Sequence, residues 1–262
     1  MSRRWMLAAA LLAVAPPPLG AAAKTERTTQ ARVKAFARLP YWPGYWVSEG
    51  ETGTTISGTR SRGAAAPDPV NSLAIWGNAA PWNQEGRRRV AASLKTMGGR
   101  KGMGWGFPLM MDAATPLQFL ITPEEVLIVN AYNETRHIYT DGRPMPASED
   151  LWPTVTGTSI GRWEGGTLVI DTIQVTNPNV FFQGGPPLSE EARYHERIWL
   201  DGDKLRAQVT IADPVTLVRP WKVMLSWVRE KGFDRMVQVD WSNDRTGSKD
   251  GLNTIEPPAD EK

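Results

Sequence analysis

The chain has 262 residues, no cysteine, and 30 Lys and Arg against 28 Asp and Glu. Residues 1–23 hold Arg3 and Arg4 and no acid, so the remainder balances at 28 basic against 28 acidic residues. Disulfides, thiolate metal ligands and thiol nucleophiles are excluded, and a neutral chain has no electrostatic reason to hold nucleic acid or anionic lipid.

The amino terminus reads as an export signal. Arg3 and Arg4 precede an apolar run from Trp5 to Ala15, which Pro16 to Pro18 end, and Ala21 and Ala23 form a small-residue cleavage site. The run falls short of the roughly 20 apolar residues that span a bilayer, so a soluble periplasmic or secreted protein without stable membrane insertion is expected. Ser2-Arg3-Arg4-Trp5-Met6-Leu7 also resembles the twin-arginine export motif, with Met6 in place of Phe and Ala8 in place of Lys; an ordinary export signal remains the alternative.

Residues 24–38 read as a leader, Tyr41 to Trp46 as an aromatic cluster around a Pro-Gly turn, and Gly50 to Val70 as an extended loop. Pro81 to Lys95 is the one helix candidate, ended by Gly98-Gly99. From Leu117 the pattern turns to strands: 117–122, 126–132, 135–140, 167–174, 192–200, 204–212, 221–230 and 233–241, separated by turn signals such as Asp141-Gly142, Glu164-Gly165-Gly166 and Asp201-Gly202-Asp203. Hairpins in series with no helix between them predict a mostly β protein, an antiparallel meander closed into a lipocalin-like barrel, with one short helix and long N-terminal loops. The organisation follows: signal peptide 1–23, an N-terminal extension 24–116 that packs on the barrel, the barrel 117–245, and a flexible tail 246–262.

Two stretches, Arg136-His137-Ile138-Tyr139-Thr140-Asp141-Gly142-Arg143 and Gly157-Thr158-Ser159-Ile160-Gly161-Arg162-Trp163-Glu164-Gly165-Gly166-Thr167-Leu168-Val169, lead to Glu196-Arg197, Asp213-Pro214 and Arg219-Pro220-Trp221. Over roughly residues 102–228 this order resembles a broad family of secreted bacterial β proteins, similar to lipocalin-like (calycin) barrels, to which no reaction is assigned. Thr158 stands where the family pattern has His, and Gly166 where it has Asp. The resemblance implies a barrel with a cavity.

His137 and His195 are the only histidines. Alternation places His137 on one strand face with Tyr139, and His195 on one face with Arg193, Arg197 and Trp199. If those faces turn inward, imidazoles, a phenol and the carboxylate of Asp171 share a lumen and can move protons near neutral pH; the opposite reading is a solvated outer face. Glu196-Arg197, and Asp213 with Arg219, are expected as structural ion pairs. No phosphate loop and no metal-binding His spacing is present, and Gly157-Thr158-Ser159-Ile160-Gly161 has the Gly-x-Ser-x-Gly spacing but no following helix to make it a nucleophile elbow, so neither an organic cofactor nor a metal is expected.

The leading functional expectation is a barrel that binds a small, largely apolar, aromatic molecule, with Arg193, Arg197, Trp199 and Trp163 as ligand contacts. The alternatives are a cofactor-independent lyase or isomerase using His137, Tyr139, His195 and Asp171, and an envelope interaction module. The first measurable consequence is the mature terminus: intact-mass analysis of exported protein is expected to give a chain beginning at Lys24, and a mass that retains Met1 overturns the signal reading.

Overall fold

The computed structural model describes residues 29–49, 80–95, 105–112, 115–176, 186–236, 246–249 and 252–255. The export signal, the loop 50–70 and the segment 237–241 of the last expected strand lie outside the described residues. Among those described, no helix is long and apolar enough to cross a membrane.

Among the described residues there are two α-helices, α1 (Thr29–Phe36) and α2 (Gln84–Lys95). The first lies in the expected leader and buries no residue. The second lies within the expected 81–95 and ends at Lys95, but starts three residues later, at Gln84. Asn83 caps it: its Oδ1 accepts from the Gly86 N–H at 2.9 Å, and its amide donates to the Val215 carbonyl at 3.0 Å. On its solvated face Arg88 and Arg89 both pair with Glu85.

Nine strands close into a barrel: β1 (Tyr45–Ser48), β2 (Leu117–Ile121), β3 (Glu125–Asn130), β4 (Thr135–Tyr139), β5 (Thr158–Glu164), β6 (Thr167–Ile173), β7 (Arg193–Asp201), β8 (Lys204–Ala212) and β9 (Trp221–Glu230). Two more, β10 (Thr246–Lys249) and β11 (Leu252–Ile255), form a separate antiparallel pair in the expected tail. The aromatic cluster at 41–46 supplies β1, which joins β9 along Tyr45↔Glu230 to Ser48↔Trp227 and meets β2 at Trp46↔Leu117. The extension before residue 117 therefore contributes the closing strand.

An odd ring of strands cannot be antiparallel throughout, because the direction must alternate at every step and return to itself. One parallel step resolves this. It falls between β4 and β5, which pair Ile138↔Ser159 and Tyr139↔Ile160, and every other neighbouring pair is antiparallel. The chain leaves β4 at one rim and must return to the opposite rim before β5. We call the rim where β5 begins the upper one. Gly161 allows the close parallel contact, since a Cβ there would stand 2.7 Å from Ile138 Cγ2.

The lumen is filled. Alternating residues of every strand point in and are buried, among them Trp46, Phe119, Ile128, Ile138, Leu168, Ile198, Val209 and Trp227. The segment Trp105 to Asp112, with a 3-10 turn at Leu109–Met111, is buried throughout. It enters the barrel, where the Trp227 indole N–H donates to the Met111 carbonyl at 3.1 Å. Burying Phe107, Leu109, Met110 and Met111 is worth on the order of 6–12 kcal/mol, comparable with the roughly 5–15 kcal/mol net stability of a domain. At that cost the segment is core. At the lower rim Trp42 packs edge-on against Phe119 at 5.7 Å and Trp163 at 5.5 Å.

Inside this apolar lumen lies an ion pair, Arg136 with Glu196, both fully buried. Arg136 also donates to the Thr172 hydroxyl at 2.8 Å and the Ser159 hydroxyl at 3.2 Å. The Phe107 ring lies 3.9 Å from the guanidinium carbon. Glu196→Gln leaves the guanidinium charge uncompensated, and urea unfolding is expected to show a loss of about 3–5 kcal/mol. The double replacement Arg136→Met with Glu196→Leu is expected to recover most of it. Equal stability of Glu196→Gln and wild type would mean the pair is not buried.

Candidate functional site

The barrel turns the sequence-expected site outward. On β4 the inward positions are Arg136 and Ile138, so His137 and Tyr139 stand outside. On β7 the inward positions are Tyr194, Glu196 and Ile198, so Arg193, His195, Arg197 and Trp199 face out. The physical reason is the ion pair: burying Arg136 requires Glu196 on the same side, and that choice sets both strands.

Pairing brings part of the set together. Tyr139↔Ile160↔Asp171↔His195 is one continuous outer row across four strands. Asp171 and His195 are direct neighbours, with His195 Nδ1 2.8 Å from Asp171 Oδ1, and Arg162 stands 3.5 Å from the same carboxylate. Tyr139 and His195 are three strand spacings apart, about 14 Å. His137 instead bonds Glu125 at 2.6 Å and stacks beside Tyr139, whose ring carries the Arg143 guanidinium 4.0 Å from its centroid. His137 is 53% exposed, His195 44% and Asp171 51%. These half-solvated groups stand on the outer wall, and none of them lines the pocket at the upper rim.

The expected ligand contacts are also redistributed. Arg197 pairs with Glu164 at 2.7 Å, and not with Glu196; this bond, aided by Arg162, holds the Glu164 carboxyl below its usual range. Trp163 does point inward, but as part of the lower seal against Trp42. Among the described residues no group of three or more His, Asp or Glu is arranged to hold a metal ion.

A different concavity lies at the upper rim, unmarked by any motif. It is a pocket of about 30 Å³ lined by Phe107, Pro108, Leu109, Val175, Pro186, Leu188, Ser189 and Tyr194. Its walls come from the inserted segment, the chain leaving β6 and the chain entering β7. Tyr194 packs edge-on against Phe107 at 4.8 Å, and burial, reinforced by the charges of Asp213 and Glu196, pushes its phenol far above the ordinary range. It is a neutral hydrogen-bonding group.

Ser189 is positioned by Asp213, which accepts from the Ser189 N–H and hydroxyl, both at 2.7 Å, from the Val215 N–H at 3.0 Å and from the Thr216 hydroxyl at 2.5 Å. Asp213 is thus a loop anchor, where the sequence suggested an ion pair with Arg219. The Asp213-Pro214 dipeptide stands out in the sequence, and Val215 and Thr216 follow it directly, but Ser189 lies 24 residues away and carries no local signal.

Burial alone would push the Asp213 carboxyl up; the four donors outweigh it, and the net shift is downward. Asp213→Ala is expected to cost about 2 kcal/mol at pH 7. A depressed native pKa stabilises fully above the unfolded value and is lost as pH falls through the native one. The gap between wild type and variant should therefore be constant near neutrality and narrow below pH 3.8, the ordinary value. A gap that widens on acidification contradicts the assignment. No family model, curated protein or solved structure matches the chain.

Proposed function

We propose that the mature protein is exported to the periplasm or beyond and binds a small, largely apolar molecule at the upper mouth of its barrel. The observation that carries this reading is the rim pocket: six apolar side chains around two neutral hydrogen-bonding groups, Ser189 and Tyr194, the composition expected of a small-molecule site. Export rests on the sequence, with its basic end, short apolar core and Ala-x-Ala site.

The mouth, and not the lumen, is the place for a ligand. Expelling the inserted segment would cost most of the stability of the domain, far more than a small ligand returns at about 0.3–1.5 kcal/mol per heavy atom. Leu188, partly buried at the rim, can move at much smaller cost.

The test uses purified mature protein with toluene, p-cresol and indole as probes, read by saturation-transfer NMR and calorimetry. At least one is expected to bind with Kd below about 1 mM. Leu188→Trp, which fills the pocket, is expected to weaken that binding at least about tenfold while the far-UV circular dichroism stays unchanged. If none of the three binds, or if Leu188→Trp leaves affinity intact, the mouth is not the site.

A further inference from the structure

The volume of the pocket restricts what can enter. About 30 Å³ accommodates a group the size of a water or a methyl, whereas a cavity that encloses benzene measures about 150 Å³. A ring-bearing ligand must therefore place only a substituent in the pocket and leave its ring outside, against whatever surface borders the mouth.

Just before a segment bonded to the pocket wall stands the most exposed tryptophan of the described residues. Trp152 is 77% exposed, unusual for a residue type that is mostly buried. Its segment is tied into the pocket wall on both sides. The Thr154 N–H donates to the Gln174 carbonyl at 3.0 Å and the Thr154 carbonyl accepts from the Thr176 N–H at 2.9 Å, which brackets the pocket residue Val175. One residue on, the Val155 carbonyl accepts from the N–H of the pocket residue Phe107 at 2.7 Å. Val155 is itself 36% exposed, and Pro153 restricts the backbone between the two. An indole with only two side-chain torsions can be immobilised at low entropic cost.

Resting on the mouth as the binding site, we propose that Trp152 is the stacking platform of that site and that the ligand is an uncharged aromatic or heteroaromatic ring bearing one small substituent. The ring lies on the Trp152 indole beside Val155, and the substituent enters the pocket toward Tyr194 and Ser189. Anionic rings are disfavoured because the uncompensated charges near the mouth are mainly acidic: exposed Glu149 and Asp150 precede Trp152, Asp213 lies behind Ser189, and the Arg136 guanidinium behind Phe107 is already paired with Glu196.

The experiment measures p-cresol, indole and p-hydroxybenzoate against wild type, Trp152→Ala, Trp152→Phe and Leu188→Trp by calorimetry and saturation-transfer NMR. Trp152→Ala is expected to weaken p-cresol and indole roughly 5- to 10-fold, and Trp152→Phe, which keeps a ring, to stay within about 3-fold of wild type. For p-hydroxybenzoate, binding to wild type at least about tenfold weaker than p-cresol is expected. If Leu188→Trp abolishes binding but Trp152→Ala changes nothing, the pocket reading stands and the platform is wrong. If p-hydroxybenzoate binds as well as p-cresol, the restriction to uncharged rings is wrong. If wild type binds neither p-cresol nor indole, both readings fall.

Discussion

A charged pair inside a greasy lumen is the constraint from which most of this architecture follows. Desolvating Arg136 and Glu196 is costly, and the cost is met only when every donor of the guanidinium finds an acceptor of the right geometry. Those acceptors sit on three other strands: Ser159 on β5, Thr172 on β6 and Glu196 on β7. Shifting any of the four strands by one residue would exchange its faces and break the network. The pair therefore acts as a register lock across β4 to β7, the part of the ring that contains its parallel step.

The same network draws together the motifs picked out along the chain. Arg136 opens the Arg-x-Ile-Tyr element, Ser159 and Gly161 belong to the Gly-x-Ser-x-Gly element, and Glu196 opens Glu-Arg. Their spacing along the chain is irregular, yet they meet at one place in the lumen. Gly157, at φ +68°, leaves no room for a Cβ, which would meet the Ile173 carbonyl at 2.6 Å. Alternate residues of these motifs line the inside of the barrel.

Topology then connects the lock to the mouth. An odd strand count demands a parallel step, a parallel step demands a crossover, and the crossover between β4 and β5 carries Trp152 to Val155 back to the upper rim. The inserted segment arrives from the other side and presents Phe107 and Leu109. The small pocket is what remains between elements whose positions other requirements determine, consistent with a site formed by loops on a rigid scaffold.

The sequence alone determined the mostly β class, the positions of seven of the nine barrel strands, the turns between them and the location of α2, because alternation and turn residues are local properties. Two strands escaped it. β1 has four residues and pairs with partners some 180 positions away, and β5 lies next to a glycine-rich turn that masks its period. Which face turns inward was decided only in three dimensions. On β4, Arg136 and Ile138 compete with His137 and Tyr139, and both faces mix polar with apolar side chains, so a period of two cannot choose between them. Arg136 goes in because Glu196, 60 residues further on, is there to neutralise it, and a long-range partner of that kind leaves no trace in the local pattern.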